Sequence, residues 1–364
     1  MSNKLIIGMM SGTSADGIDA ALVRFDSVSS LEVIATAFTP FSNALRAQIN
    51  ETALSKVIES CEESDLHESL AHDYATAAKN LAHKAGIDLA DVNAIANHGQ
   101  TVRHEPNANP GYSLQLGNPQ TIADLCGTLT IGQFRQADLK AGGQGAPLMP
   151  AFHSTVFGGE DRYLLNIGGI ANITHLGETV IGFDSGPGNT LLDQWIYKTK
   201  GKAYDKNGEW AASGTVIPEL LERLIADPYF GAGFPKSTGP DFFNLAWLGD
   251  VQSYQPQDVQ ATLLALTVLS IAGEIKQLGN LPGEIYVCGG GAHNTLMMNN
   301  LKEALPSHVI HTTDSLGIPA DWVEAVGFAW LGYCRLNSID SNLPSVTGAR
   351  ASVVLGEVSF PTES

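Results

Sequence analysis

Positive charge is scarce in this chain. Its 364 residues hold 20 Lys and Arg against 38 Asp and Glu, a formal net charge of −18. A nucleic-acid binder presents a basic face to phosphates, so that class is excluded, as is adhesion to an anionic membrane surface. Cysteine is sparse as well. Cys61, Cys126, Cys288 and Cys334 are scattered without CxxC spacing. Two disulfides are formally possible, but a chain this long needs no staples, and a reduced cytoplasmic protein is expected. No Cys/His cluster has zinc spacing, so a structural metal is not expected. Long apolar runs are missing too. The run Leu5–Met10 is too short for a signal-peptide core and reads as a first strand. The stretch around Ala261–Ala272 is broken by Thr and Ser and reads as a buried helix, not a membrane span.

What is plentiful is glycine, 38 residues without a G-x-y period. The excess therefore sits in tight turns and ligand loops. Hydrophobic content of 44% and charged content of 16% belong to a compact globular protein. At ~150 residues per domain the length suggests about two domains. The pattern agrees. Residues 4–10, 18–25 and 31–38 read as strands around a Gly/Ser/Thr/Asp turn, followed by helices at 43–60 and 65–86. Residues 92–96 form a short buried strand, 105–120 a Pro/Gly/Asn loop, and 129–133 another strand. A Gly/Pro-rich crossover at 140–150 suggests a boundary, giving a first domain of 1–140 plus 335–364 and a second of 141–334. The second opens with strands at 163–167, 171–176 and 179–183, again around glycines. Helices at 189–199, 216–226 and 256–278 follow, then strands at 284–288 and 309–311 and a helix at 320–337. The polar residues after it read as a mobile tail.

The glycine turns carry the chemistry. Gly12-Thr13-Ser14-Ala15-Asp16-Gly17-Ile18-Asp19 follows the first strand. Successive N–H groups in such a turn form an anion nest, and glycines let the main chain approach a phosphate. Asp16 and Asp19 suit the waters of a Mg²⁺ ion. A plain hairpin with solvated polar residues is the alternative. It is not a Walker loop, because no GKS or GKT follows. Asn166-Ile-Gly168-Gly169-Ile-Ala-Asn172 repeats the theme in the second half. In Phe183-Asp184-Ser-Gly-Pro-Gly-Asn189 a hydrophobic strand delivers Asp184 to its tip beside a helix start. That position suits a general base, and turn capping is the alternative. Gly289-Gly290-Gly291, followed by Asn294, links a strand to a helix and suits a nucleotide packed on flat backbone. Gln100 and Thr101 follow a buried strand. Arg135 suits a bidentate carboxylate or phosphate, with a structural ion pair as the alternative, and Glu324 stands in a mostly apolar helix, where it caps a turn or faces a cleft.

Taken in order, Met10–Asp19, His98–Thr101, Ala141–Pro147, Asn166–Asn172, Phe183–Asn189, Gly289–Gly291 and Glu324-Ala325 resemble the motifs of the anhydro-N-acetylmuramic acid kinase family. The resemblance implies an α/β, two-domain sugar kinase/Hsp70/actin-like (ribonuclease H-like) fold with a central ATP cleft. It implies ATP-dependent opening and phosphorylation of 1,6-anhydro-N-acetylmuramic acid in cell-wall recycling. On this basis Asp184 is expected as the catalytic base. Gly12 to Asp19, Gly168, Gly169, Asn172, Gly289, Gly290, Gly291 and Asn294 are expected to bind ATP, with Mg²⁺ carried by the nucleotide. Gln100, Thr101, Arg135 and Glu324 are expected on the sugar side. Two positions depart from the family pattern: Ala15 stands where Leu is expected and Pro240 where Arg is expected. The partners expected are the sugar and ATP, with a homodimer left open.

Overall fold

The computed structural model describes residues 3–12, 14–54, 60–159, 161–239, 241–279 and 282–362. They fold into two compact units. The first comprises residues 1–157 and 322–364, the second residues 158–321.

Among the described residues the first unit is built on a sheet of seven strands: β1 (Lys4–Ser11), β2 (Gly17–Ser27), β3 (Ser30–Pro40), β4 (Ala94–Glu105), β5 (Tyr112–Leu116), β6 (Thr130–Gly132) and, at the far end of the chain, a strand at Glu357–Ser359. β1, β2 and β3 are antiparallel neighbours, while β4 joins β1 in parallel and β6 joins β4 in parallel. β2 is buried along most of its length because both faces are covered. On one face lie the helices Asn43–Leu54 and Ser60–Ala85, whose Leu70, Tyr74, Ala78 and Leu81 meet Ile7, Ile18 and Leu22. On the other lies the helix Val323–Leu336. A Cβ on Gly8 would overlap Ala325 and Ala329 of that helix, so glycine is what lets strand and helix touch.

The second unit repeats the plan with β7 (Arg162–Ile167), β8 (Ile170–Leu176), β9 (Val180–Pro187), β10 (Glu284–Cys288) and β11 (Val309–Thr312). The orders β3-β2-β1-β4-β6 and β9-β8-β7-β10-β11 are the same topology: three antiparallel strands, then two parallel ones. The helix Pro256–Leu278 lies in this core with Val259, Leu263, Leu266, Ile271 and Ile275 buried. It is long and apolar enough to cross a membrane by composition, but most of it is buried inside the unit.

Three expectations need correcting. The units divide at Phe157/Gly158 and Asp321/Trp322, not at 140/141 and 334/335. The reason is packing: Phe152 lies tilted against Trp330 at 6.0 Å, and Met149 fills the space above Gly327, so both segments belong to the first unit. The reading of 105–120 as a loop misses β5, whose Leu116 to Tyr112 pair with Gln100 to Glu105 of a strand β4 that runs well past residue 96. The polar C-terminal residues are not a free tail. Asn342 and Thr347 each donate to the buried Asp138 carboxylate at 2.7 Å, and Glu357–Ser359 pairs with β6.

Candidate active site

The first glycine turn closes between β1 and β2. Ala15 sits at φ 48° and donates its N–H to Gly12 O at 3.1 Å. The turn is clamped from β4 by Gln100, which is buried. Its Oε1 accepts from Ser11 Oγ, while its Nε2 donates to Gly12 O and Thr101 O at 3.2 Å each. Ser14 Oγ donates to Asp16 Oδ1 at 2.8 Å, and Arg46 holds Ser14 O. The side chains of Ala15 and Ile18 lie in the core, so those residues offer a ligand main chain only. Asp19, opposite Met10 on β2, is half-buried. Thr13 lies outside the described residues, as does Pro240.

Also in the first unit, Arg135 is held by partners that fix its plane. Its Nε and one terminal nitrogen both donate to His98 Nε2, at 3.2 and 3.0 Å, and the other terminal nitrogen donates to Gly145 O at 2.9 Å. His98 must therefore be neutral; burial and the adjacent Arg135 charge push its pKa well below the usual value. Its ring stacks on Phe328 at 4.4 Å. Burial lowers Arg135 to about 10, while Glu324 acts to raise it. In return Glu324 is raised by burial and drawn back by Arg135. Thr101 Oγ1 accepts from Gln115 Nε2 at 3.2 Å. Of the four sugar-side expectations, Gln100 thus has its amide committed to the glycine turn, whereas Arg135 and Glu324 form an electrostatically coupled pair.

In the second unit the three glycine motifs converge. Gly188 and Asn189 N–H groups bond Gly169 O and Gly168 O, and Asn189 Nδ2 donates to Ile167 O and Gly168 O at 3.1 Å. A Cβ on Gly188 would overlap Gly168 O; on Gly289 it would overlap Asn166, and on Gly291 it would overlap Ile167. These glycines are required by the protein's own packing. Gly12, Gly168 and Gly290 are different. None has a left-handed φ, and a Cβ there would meet nothing closer than 3.9, 3.6 and 3.9 Å respectively. Neither backbone strain nor packing accounts for glycine at these three positions. They are where an approaching ligand would profit from a bare main chain, so the residues present fit a nucleotide. Asn172, on β8, stands opposite Asp184. Asn294 caps the helix Thr295–Ala304 by accepting from Met297 N at 3.1 Å.

Asp184 is half-buried and lies within β9 rather than at its tip, because the strand pairs with β8 on to Pro187. Ser237 Oγ and Thr238 N both donate to its Oδ2, at 3.1 and 3.0 Å. Burial raises its pKa above the usual carboxylate value, with those two donors pulling the other way. Tyr229 OH donates to Asp184 O at 2.7 Å. Behind this segment Lys236 meets Glu274 of the helix Pro256–Leu278 at 2.6 Å. Sequence reasoning missed Ser237, Lys236 and Glu274, and it named Thr238 and Asn189 without their tethering roles. One signal was available: a single carboxylate in the apolar run Leu263–Ile275 demands a buried partner.

Two units with one repeated strand order and a glycine-rich first hairpin in each define a ribonuclease H-like α/β protein of the sugar kinase, Hsp70 and actin kind. The family model for anhydro-N-acetylmuramic acid kinase matches residues 4–361. A protein of that name from Shewanella loihica is 46% identical over 370 residues, covering 99% of this chain and all of its own. Another, from Shewanella halifaxensis, is 45% identical over 365 residues and 98% of each chain. Among solved structures, the activator of the 2-hydroxyisocaproyl-CoA dehydratase from Clostridium difficile aligns with 92% of this chain and 96% of its own, at 10% identity and a TM-score of 0.46. The chain belongs to the anhydro-N-acetylmuramic acid kinase family.

Proposed function

We propose that the protein converts 1,6-anhydro-N-acetylmuramic acid, ATP and water to N-acetylmuramic acid 6-phosphate and ADP, as a cytoplasmic enzyme of cell-wall recycling. The observation that carries the mechanism is the Asp184 carboxylate. It is half-buried, and both hydrogen bonds to it fall on Oδ2, so Oδ1 is the oxygen offered to a reactant.

The substrate has no free O6, because O6 is tied to C1. Asp184 takes a proton from water as the water oxygen bonds to C1. The C1–O6 bond breaks, and O6 bonds to the γ-phosphorus as the bond to ADP breaks. The proton then passes from Asp184 to solvent. Burial raises the basicity of Asp184 above that of an ordinary carboxylate, which favours proton uptake. Gly12 to Asp19 hold phosphate oxygens through main-chain N–H groups, and Gly168 and Gly290 leave room for the nucleotide. Arg135, with its plane fixed by His98 and Gly145, pairs with the lactyl carboxylate, and Glu324 orients a sugar hydroxyl or the water. Among the described residues no group of three or more His, Cys, Asp or Glu is placed to hold a metal directly. Mg²⁺ would arrive with the nucleotide, its waters reached by Asp16 and Asp19. When bound, it offsets charge on the transferring phosphoryl group.

The test is turnover of the anhydro sugar with ATP in ¹⁸O-water, with product mass and ADP measured together. One ¹⁸O at C1 and one ADP per sugar are expected. An unlabelled phosphosugar would mean that an ordinary hydroxyl is phosphorylated and would overturn the ring-opening step.

A further inference from the structure

The segment around Asp184 is wired more heavily than a turn requires. Asp184 N donates to Lys236 O at 3.0 Å, Asp184 O accepts from Tyr229 OH, and Asp184 Oδ2 accepts from Ser237 and Thr238. Its amide, its carbonyl and its carboxylate are thus all held by residues 229–238. Tyr229 and Phe230 pack against the core and Phe234 stacks on Phe183 at 5.5 Å, but the residues that follow Phe234 are tied down by a charged pair. Lys236 Nζ donates to Glu274 Oε1 at 2.6 Å and to Tyr229 O at 3.1 Å, and it lies over the Tyr229 ring at 4.8 Å. The two charged side chains are only 6% and 7% exposed, so this is an ion pair withdrawn from water. Such a pair is a weak source of stability, since apolar residues of the same volume often serve as well. Its value lies in geometry: each charge has one low-energy place to be.

We propose that the Lys236–Glu274 pair is a positioning device for Asp184, pinning residues 236–238 so that the Ser237 hydroxyl and the Thr238 amide stay on one carboxylate oxygen. The proposal rests on the reading of Asp184 as the base. The charged and titratable groups packed about Asp184 are Tyr229 from the helix Pro228–Gly231, Lys236 from the following loop and Glu274 from the helix Pro256–Leu278; β8 presents the neutral Asn172. Tyr229 stays neutral, because burial and the two nearby carboxylates raise its pKa. Loss of the pair loosens the two donors that stabilise the charged carboxylate. Burial then acts with less opposition, and Asp184 becomes harder to deprotonate. A base works in its deprotonated form, so the acidic limb of kcat moves to higher pH.

The experiment is the pH dependence of kcat, with ATP KM and melting temperature, for the double variant Lys236→Met/Glu274→Leu. It keeps the buried volume and leaves no lone charge. The expected result is an acidic limb displaced upward by about one pH unit, so that kcat on that limb falls about tenfold while ATP KM is unchanged. Ser237→Ala, which removes one donor directly, is expected to move the limb the same way by less. A double variant with a wild-type pH profile overturns the proposal, whatever its melting temperature. Should the double variant not fold, Lys236→Met/Glu274→Gln, which also leaves no lone charge, carries the same expectation and the same overturning result. Asp184→Asn separates the two ideas. If it turns over normally, the base reading has failed. If it is inactive while the double variant keeps the wild-type limb, only the role of the pair has failed.

Discussion

The two glycine hairpins occupy the same place in two copies of one strand order, yet they are held differently. In the first, the turn is fixed by side chains: Gln100 from β4 bonds Ser11, Gly12 and Thr101, and Arg46 bonds Ser14. In the second, the turn is fixed mainly by main chain, with the N–H groups of residues 188–190 donating to Gly168 and Gly169 carbonyls and the Asn189 side chain adding bonds to Ile167 O and Gly168 O. The first hairpin can therefore be loosened by deleting one amide side chain. The second keeps three main-chain bonds even if the Asn189 side chain is deleted, so it is disturbed most by forcing the two backbones apart. The same topology thus supplies one adjustable loop and one rigid seat, and Asp184 lies on the strand that leads into the rigid one.

The sharpest way to break that contrast is Asp184→Asn. The amide keeps the shape and can still accept from Ser237 and Thr238, but it cannot take the water's proton. General-base catalysis is worth ~10²–10⁴-fold, so kcat is expected to fall by that order while ATP affinity holds. If Asp184 merely ties down residues 236–238, the variant melts at a lower temperature and turns over within tenfold of wild type. Melting temperature, ATP affinity and kcat on one preparation decide between them.

Next come the glycines. Gly188→Ala forces a Cβ into Gly168 O, where backbone has no room to give. Overpacking of this kind costs about 1–3 kcal/mol, read as a lowered denaturant midpoint. Gly12→Val meets open space and an ordinary φ, so its stability is expected to stay within about 0.5 kcal/mol while ATP affinity drops. Equal stability losses in the two variants would show that the hairpins are not held differently. Unchanged ATP affinity in Gly12→Val would remove the phosphate role of the first hairpin.

These motifs were legible because they are local: a strand, a few glycines and an Asp within ten residues. What escaped was non-local or compositionally disguised. β5 is flanked by Pro, Gly and Asn on both sides, and its status depends on pairing with β4. The C-terminal residues look mobile by composition. Their anchor, Asp138, is about two hundred residues away and bonds Asn342 and Thr347. The helix Val323–Leu336 joins the first unit because Gly8 admits it, which no boundary signal reveals. Glu274 and Lys236 are 38 positions apart in the sequence, and only the fold pairs them.

The units also differ in what acid should do to them. In the first, burial holds His98 well below its usual pKa, His104 at about 4 and His153 at about 3. A histidine that stays neutral when folded takes a proton only on unfolding, so each removes stability as pH falls below about 6.5, by up to about 1.4 kcal/mol per pH unit. Raised carboxyls at Asp73 and Glu324 oppose this in part. In the second unit Asp193 is raised to about 7, first by burial and then by Asp205, and Asp184 is raised as well. A carboxyl that stays protonated when folded adds stability as pH falls from about 7 toward 4; the lowered His175 and His308 subtract from it. Amide exchange from pH 7 to 5, corrected for intrinsic rates, should show β1 and β2 losing protection before β7 and β8. Equal losses would mean that the two units respond to acid as one.

The smallest effect is expected at Asn294, where a capping role and a nucleotide role make different demands. Its side-chain oxygen accepts from Met297 N and so satisfies one of the free N–H groups at the start of the helix Thr295–Ala304. The side chain is buried, and Gly208 packs against its oxygen. Asn294→Ala deletes the cap and is expected to cost about 1 kcal/mol. Asn294→Ser keeps a capping oxygen on a shorter side chain and is expected to lose only a few tenths of that order. Neither should change ATP affinity if the cap is the whole role, since the glycines that leave room for a ligand are Gly168 and Gly290. A nucleotide contact through the Asn294 amide would give the opposite pattern: Ser would restore the melting temperature but not the affinity. Titrating ATP into the two variants, with their melting temperatures measured in its absence, therefore sets the limit of the second hairpin's seat at Gly290 or carries it on to Asn294.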